Sequence, residues 1–90
     1  MATETKRVTC PVTGYTALSA GQANVSFKSQ RNSTGRLAIA ASLPVAGTAD
    51  YVSIDSDQWT TLGSLGASDN VYYRPDANQD GDVIIDVIRG

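Results

Sequence analysis

Apolar and polar side chains alternate one by one along this chain, in short runs broken by glycine, proline, aspartate and asparagine. A period of two puts every second side chain on one side of an extended backbone, whereas a helix needs a period of 3.6. The clearest run is 23–29. Ala23, Val25 and Phe27 face one way, and Asn24, Ser26 and Lys28 face the other, as in a strand half buried against a core. The same pattern predicts strands around 8–10, 14–18, 36–41, 51–54, 58–62, 71–74 and 82–88. The 36–41 run contains helix-forming alanine and leucine, but it lacks an N-cap and Pro44 soon stops it, so a strand is expected there too. Between the runs, glycine and short acceptor side chains mark turns, because they tolerate or hydrogen-bond tight backbone bends.

About seven to eight short strands at this spacing, with no βαβ alternation, predict an all-β fold: a small antiparallel β-sandwich or a jelly-roll-like barrel. Ninety residues suffice for one domain over 1–90. The polar start, residues 1–7, is expected to form a flexible N-terminal arm.

Composition narrows function mainly by exclusion. There is no histidine, which removes the commonest general base and the commonest zinc ligand. One cysteine, Cys10, forbids an internal disulfide and any multi-cysteine metal site. It precedes Pro11 with no neighbouring base, and a buried structural thiol is expected. A net charge of −2 gives no bulk attraction to nucleic acid or anionic membrane, and no apolar run is long enough to span a bilayer. The first residues lack the apolar stretch of a secretory signal, so cytoplasmic synthesis is expected.

The motif-like stretches reduce to turns. Residues 76–82 open like a calcium-binding EF-hand loop, with Asp76, Asn78 and Asp80 at positions one, three and five and Gly81 at six. Position twelve should be a bidentate acid and is Val87, and Pro75 precedes the loop where a helix should be. Asp55, Asp57 and Asp69 sit among turn residues rather than in an apolar pocket that would raise a carboxyl pKa. No catalytic, cofactor-binding or metal-binding residue is assigned, and a non-enzyme is expected. Tyr72 and Tyr73 must point to opposite faces of their strand, one to the core and one to the surface. In the last strand, Val83, Ile85 and Val87 form one face. Ile84, Asp86 and Ile88 form another that is too apolar for free solvent, so it is covered by another segment or meets another subunit.

The order of pieces carries a resemblance. Residues 15–21 (YTALSAG) lead into 23–27, residues 35–41 lead into Leu43-Pro44, and 65–74 (LGASDNVYYR) precede a terminal strand closing at Arg89. This resembles the small β-sandwich accessory proteins of tailed bacteriophage virions, the capsid decoration and fibre-base proteins. The resemblance implies a non-enzymatic virion protein that decorates or cements a capsid. It would contact the major capsid protein or other virion subunits and form homo-oligomers on the particle. The candidate interface is then Lys6 and Arg7 in the arm with Tyr72, Ile84 and Ile88. Alternatives are a fibre-anchoring or tail and baseplate module, a calcium-stabilised module, and a carbohydrate- or receptor-binding sandwich that uses Trp59 and exposed tyrosines.

Overall fold

Strands form where the alternation predicts them. The computed structural model describes residues 3–30, 34–55, 58–76 and 82–90. Eight strands follow one another: β1 (Glu4–Cys10), β2 (Thr16–Ala20), β3 (Val25–Ser29), β4 (Thr34–Ala40), β5 (Val52–Asp55), β6 (Thr60–Leu62), β7 (Asn70–Pro75) and β8 (Val83–Arg89). No helix long and apolar enough to cross a membrane occurs among the described residues.

The strands make two four-stranded antiparallel sheets, ordered β1-β8-β3-β6 and β2-β7-β4-β5. The two orders have one origin. Fold eight strands into a single long hairpin, and β1 pairs with β8, β2 with β7, β3 with β6 and β4 with β5. Rolling that hairpin up brings β8 beside β3 and β7 beside β4, which completes both sheets. This is the jelly-roll arrangement of a β-sandwich.

The predicted inner faces meet between the sheets. Val25, Phe27, Val83, Ile85 and Val87 from one sheet pack against Leu18, Leu37, Val71 and Tyr73 from the other, with Cys10 at the end of β1. The chain exposes 4955 Å², close to the ~5,000 Å² expected of a folded monomer of its mass. Gly21 turns the chain out of β2 with φ of 74°, a left-handed conformation that costs a glycine little.

Two expectations are corrected. Residues 4–7 are strand rather than arm: Glu4 to Cys10 pair residue for residue with Arg89 to Val83. Their polarity follows from position, since an edge strand keeps one ladder and the sandwich rim in water. Arg89 adds to the anchoring. Its Nε donates to Glu4 Oε1 at 2.7 Å and its Nη1 to the Leu18 carbonyl of the opposite sheet at 2.8 Å. That hydrogen bond holds the Glu4 carboxyl below the usual carboxylate range.

The second correction concerns Tyr72. Tyr73 is in the core, and Tyr72 does point to the opposite face, but it is only 6% exposed. It packs with Tyr15, Ala38 and Ala40. The small alanines of β4 leave room for the two rings. Connecting segments also lie over this face: Arg74 donates to the carbonyls of Val12 and Ala46, and Asn70 to that of Ala41. Tyr72 is therefore unavailable as an interface residue.

Cys10 is a free, fully buried thiol. Burial pushes its pKa up to about 12, against a hydrogen bond from Thr16 that works the other way. The thiolate is the reactive form. A thiol reagent at neutral pH is therefore expected to label the native protein at least about a hundredfold more slowly than the denatured chain. The raised pKa also sets a pH dependence. The folded state favours the neutral thiol, so its contribution is complete below about 9 and is lost as pH rises towards 12. Melting temperature should fall across that window and fall less in Cys10→Ala. Equal labelling of native and denatured protein would place the thiol outside the core.

Candidate functional site on the outer face of the β1-β8-β3-β6 sheet

The face of this sheet that points away from the core is built by the alternation already described. β1 contributes Thr5, Arg7 and Thr9, β8 contributes Ile84, Asp86 and Ile88, β3 contributes Ser26 and Lys28, and β6 contributes Thr61. Register aligns them in rows. Thr5, Ile88, Ser26 and Thr61 form one row across all four strands, and Arg7, Asp86 and Lys28 form the next. Thr9 lies opposite Ile84 in a third.

The centre of the face is charged and its two ends are aliphatic. Arg7 Nε donates to Asp86 Oδ1 at 3.3 Å, and Gln30 Nε2 donates to the same oxygen at 3.1 Å. At one end the Ser26 and Thr61 hydroxyls are 3.0 Å apart. Ile88 is 41% exposed beside them. A depression of about 230 Å³ adjoins it, lined by Thr3, Asn24, Val25, Ser26, Ile88, Arg89 and Gly90. The Arg7–Asp86 pair is solvent-exposed and contributes no more than about 1 kcal/mol to stability. Its weight is in recognition, because exposed charges set orientation and partner choice more than affinity.

The expected interface residues separate. Arg7, Ile84 and Ile88 come together on this face. Lys6 lies opposite Val87, so it points to the core side of β1, at the rim of the sandwich. Tyr72 is on the other sheet. Six participants went unrecognised in the sequence: Thr5, Thr9, Ser26, Lys28, Gln30 and Thr61. The polar face of β3 was legible, but its place beside β8 depends on a pairing between residues about sixty positions apart.

The remaining candidates divide similarly. Asp69 caps its own turn, accepting from the Gly66 amide at 2.8 Å, and Asp55 ends β5. Asp76 faces Arg36 at 3.9 Å. Residues 77–81 of the EF-hand-like stretch and Asp57 lie outside the described residues. Among the described residues, no three His, Cys, Asp or Glu side chains gather in a group able to hold a metal ion. A second shallow depression, about 390 Å³, is lined by Thr34, Gly35, Ser53, Ile54, Asp55 and Asp76. Phe27, Tyr73, Tyr15 and Tyr72 are buried. Trp59 and Tyr51 are the aromatics left in solvent, and the Arg36 guanidinium covers one face of Tyr51 at 4.5 Å. No protein-family model matches this chain, and no curated protein or solved structure matches it.

Proposed function

We propose that this chain is a non-enzymatic structural protein of a tailed-phage virion, which attaches to a capsid through the outer face of its β1-β8-β3-β6 sheet. The observation that carries the reading is the composition of that face. Two aliphatic positions, Ile84 and Ile88, bracket the Arg7–Asp86 pair on a rigid sheet, and Ile88 stands in water. Exposed aliphatic area beside a charge pair that can orient a partner suits a protein contact. The jelly-roll order agrees with this at the level of architecture, since viral capsid domains use it, but lectins and cupins do too. Burial of four aromatics leaves little of the stacking platform that a carbohydrate-binding module would use.

The test is particle occupancy. Purified virions that package this chain should carry it at fixed copy number, read by mass spectrometry. Ile88→Lys should lower that number at least about tenfold, because desolvating an ammonium in the contact costs more than ~1.4 kcal/mol. Normal occupancy by the variant would exclude this face as the contact. Absence of the wild-type chain from particles would refute the virion role.

A further inference from the structure

Each sheet has two edges, and an edge strand offers unpaired backbone groups to any other strand. Proteins protect such edges with charges (lysine above all), inward-pointing charges, bulges or shortness. Three of the four edges here carry such a device. β1 has Arg7 on its outer side and Lys6 on its core side. β2 has a register shift between Ala17 and Ser19. β6 is three residues long. β5 is different. It ends the order β2-β7-β4-β5 and holds no lysine, arginine, proline or bulge, and its sole charge is the terminal Asp55.

β5 also exposes side chains that belong to a core. Val52 lies opposite Leu37 and Ile54 opposite Gly35, so both point to the inner side of the sandwich. Val52 is nevertheless 61% exposed, and Ile39 on the same side of β4 is 47% exposed. β6, the edge strand of the other sheet, is only three residues long.

We propose that β5 pairs antiparallel with β5 of a second copy of this chain, about a two-fold axis at Ser53. The strand is self-complementary in that register. Val52 meets the partner's Ile54 on the inner side, and Ile54 meets the partner's Val52. Ser53 meets the partner's Ser53 on the outer side, and the Tyr51 hydroxyl can donate to the partner's Asp55 carboxylate. No like charges stand opposite each other. The two Asp55 carboxylates fall at opposite ends of the pair, more than about 10 Å apart, beyond the screening length at physiological salt. Two four-stranded sheets join into one of eight, and the uncovered aliphatics of each copy gain cover from the other. A two-fold edge-to-edge joint closes on itself and does not propagate. The joint belongs to the free chain and uses the sheet opposite the proposed capsid-facing one, so the two assignments are tested separately.

Mass in solution tests the joint, by light scattering from about 1 µM to about 1 mM. Wild type is expected to approach twice its 9.4 kDa chain mass, while Val52→Lys stays at the single-chain mass with an unchanged circular dichroism spectrum. Ile88→Lys, on the other sheet, should dimerise like wild type. Ser53→Cys gives an independent readout: mild oxidation should link two copies through this position, whereas Ser26→Cys should not link. Single-chain mass for wild type at the highest concentration would overturn the proposal. So would a dimer that survives Val52→Lys, a dimer lost in Ile88→Lys, or Ser53→Cys that links no faster than Ser26→Cys.

Discussion

Phe27→Ala is expected to cost about 3–5 kcal/mol, the range for emptying a buried phenylalanine site. Phe27 is fully buried on β3, between Val87 of β8 and Thr60 of β6. The sheet pairings on both sides fix the backbone, so the walls cannot easily collapse into the cavity. A domain of this length has about 5–13 kcal/mol of total stability, so the loss would consume a large part of it. Melting temperature should drop by roughly 12–40 °C, at about 4–8 °C per kcal/mol for a domain this small. A drop under about 5 °C would mean that the ring does not fill the space between the sheets.

Gly35→Ala should be nearly as damaging, at about 2–3 kcal/mol, although it adds only a methyl group. Gly35 lies in β4 directly under the Tyr73 ring. A Cβ built there would come within 2.5 Å of Tyr73 Cζ and 2.8 Å of the Arg74 carbonyl oxygen. Both neighbours are fixed, because Tyr73 is packed in the core and the Arg74 carbonyl belongs to the adjacent strand β7. Backbone freedom plays no part here; the space above the residue is occupied. A double-mutant cycle with Tyr73→Val separates this cause from a general effect of alanine at the position. The two substitutions should be less than additive, since removing the ring removes the closest contacts and leaves only the one to the Arg74 carbonyl. Full additivity would contradict the assignment of the clash to Tyr73.

Much of this architecture was legible in the residues. Val25 and Phe27 face the core because they alternate with Asn24, Ser26 and Lys28, and Val83, Ile85 and Val87 do so by the same rule. Cys10 followed from its isolation from any base. Where alternation was silent, the reading failed. Glu4, Thr5, Lys6 and Arg7 contain no apolar residue, yet they form a strand held by backbone pairing to β8 and by Arg89. Tyr72 read as a surface residue because its strand shows which face it takes, but not that connecting segments lie over that face.

The candidate site was half legible for the same reason. Ile84 and Ile88 stood out as apolar residues on a face shared with Asp86. Their neighbours Thr5, Ser26 and Lys28 are ordinary strand residues until β8 is known to run between β1 and β3. The uncovered edge at Val52 depends on three things at once: where β5 sits in its sheet, how short β6 is, and which devices guard the other edges. None of these is a property of residues 52–55 themselves.

By itself, the sequence determined that this protein is built of short strands, which side of most of them is buried, and that Asp69 marks a turn. Those are local properties, decided by the two-residue period of extended backbone and by turn chemistry within a few residues. Only the tertiary structure decided the strand order, the edge role of residues 4–7, the burial of Tyr72 and the gathering of Arg7, Ile84 and Ile88 on one face. Those depend on pairings such as Arg7 with Asp86, 79 residues apart. A strand's own pattern states which face it must hide. Which neighbours share that face is set by the rolling of the whole hairpin, which buries all the inner faces together.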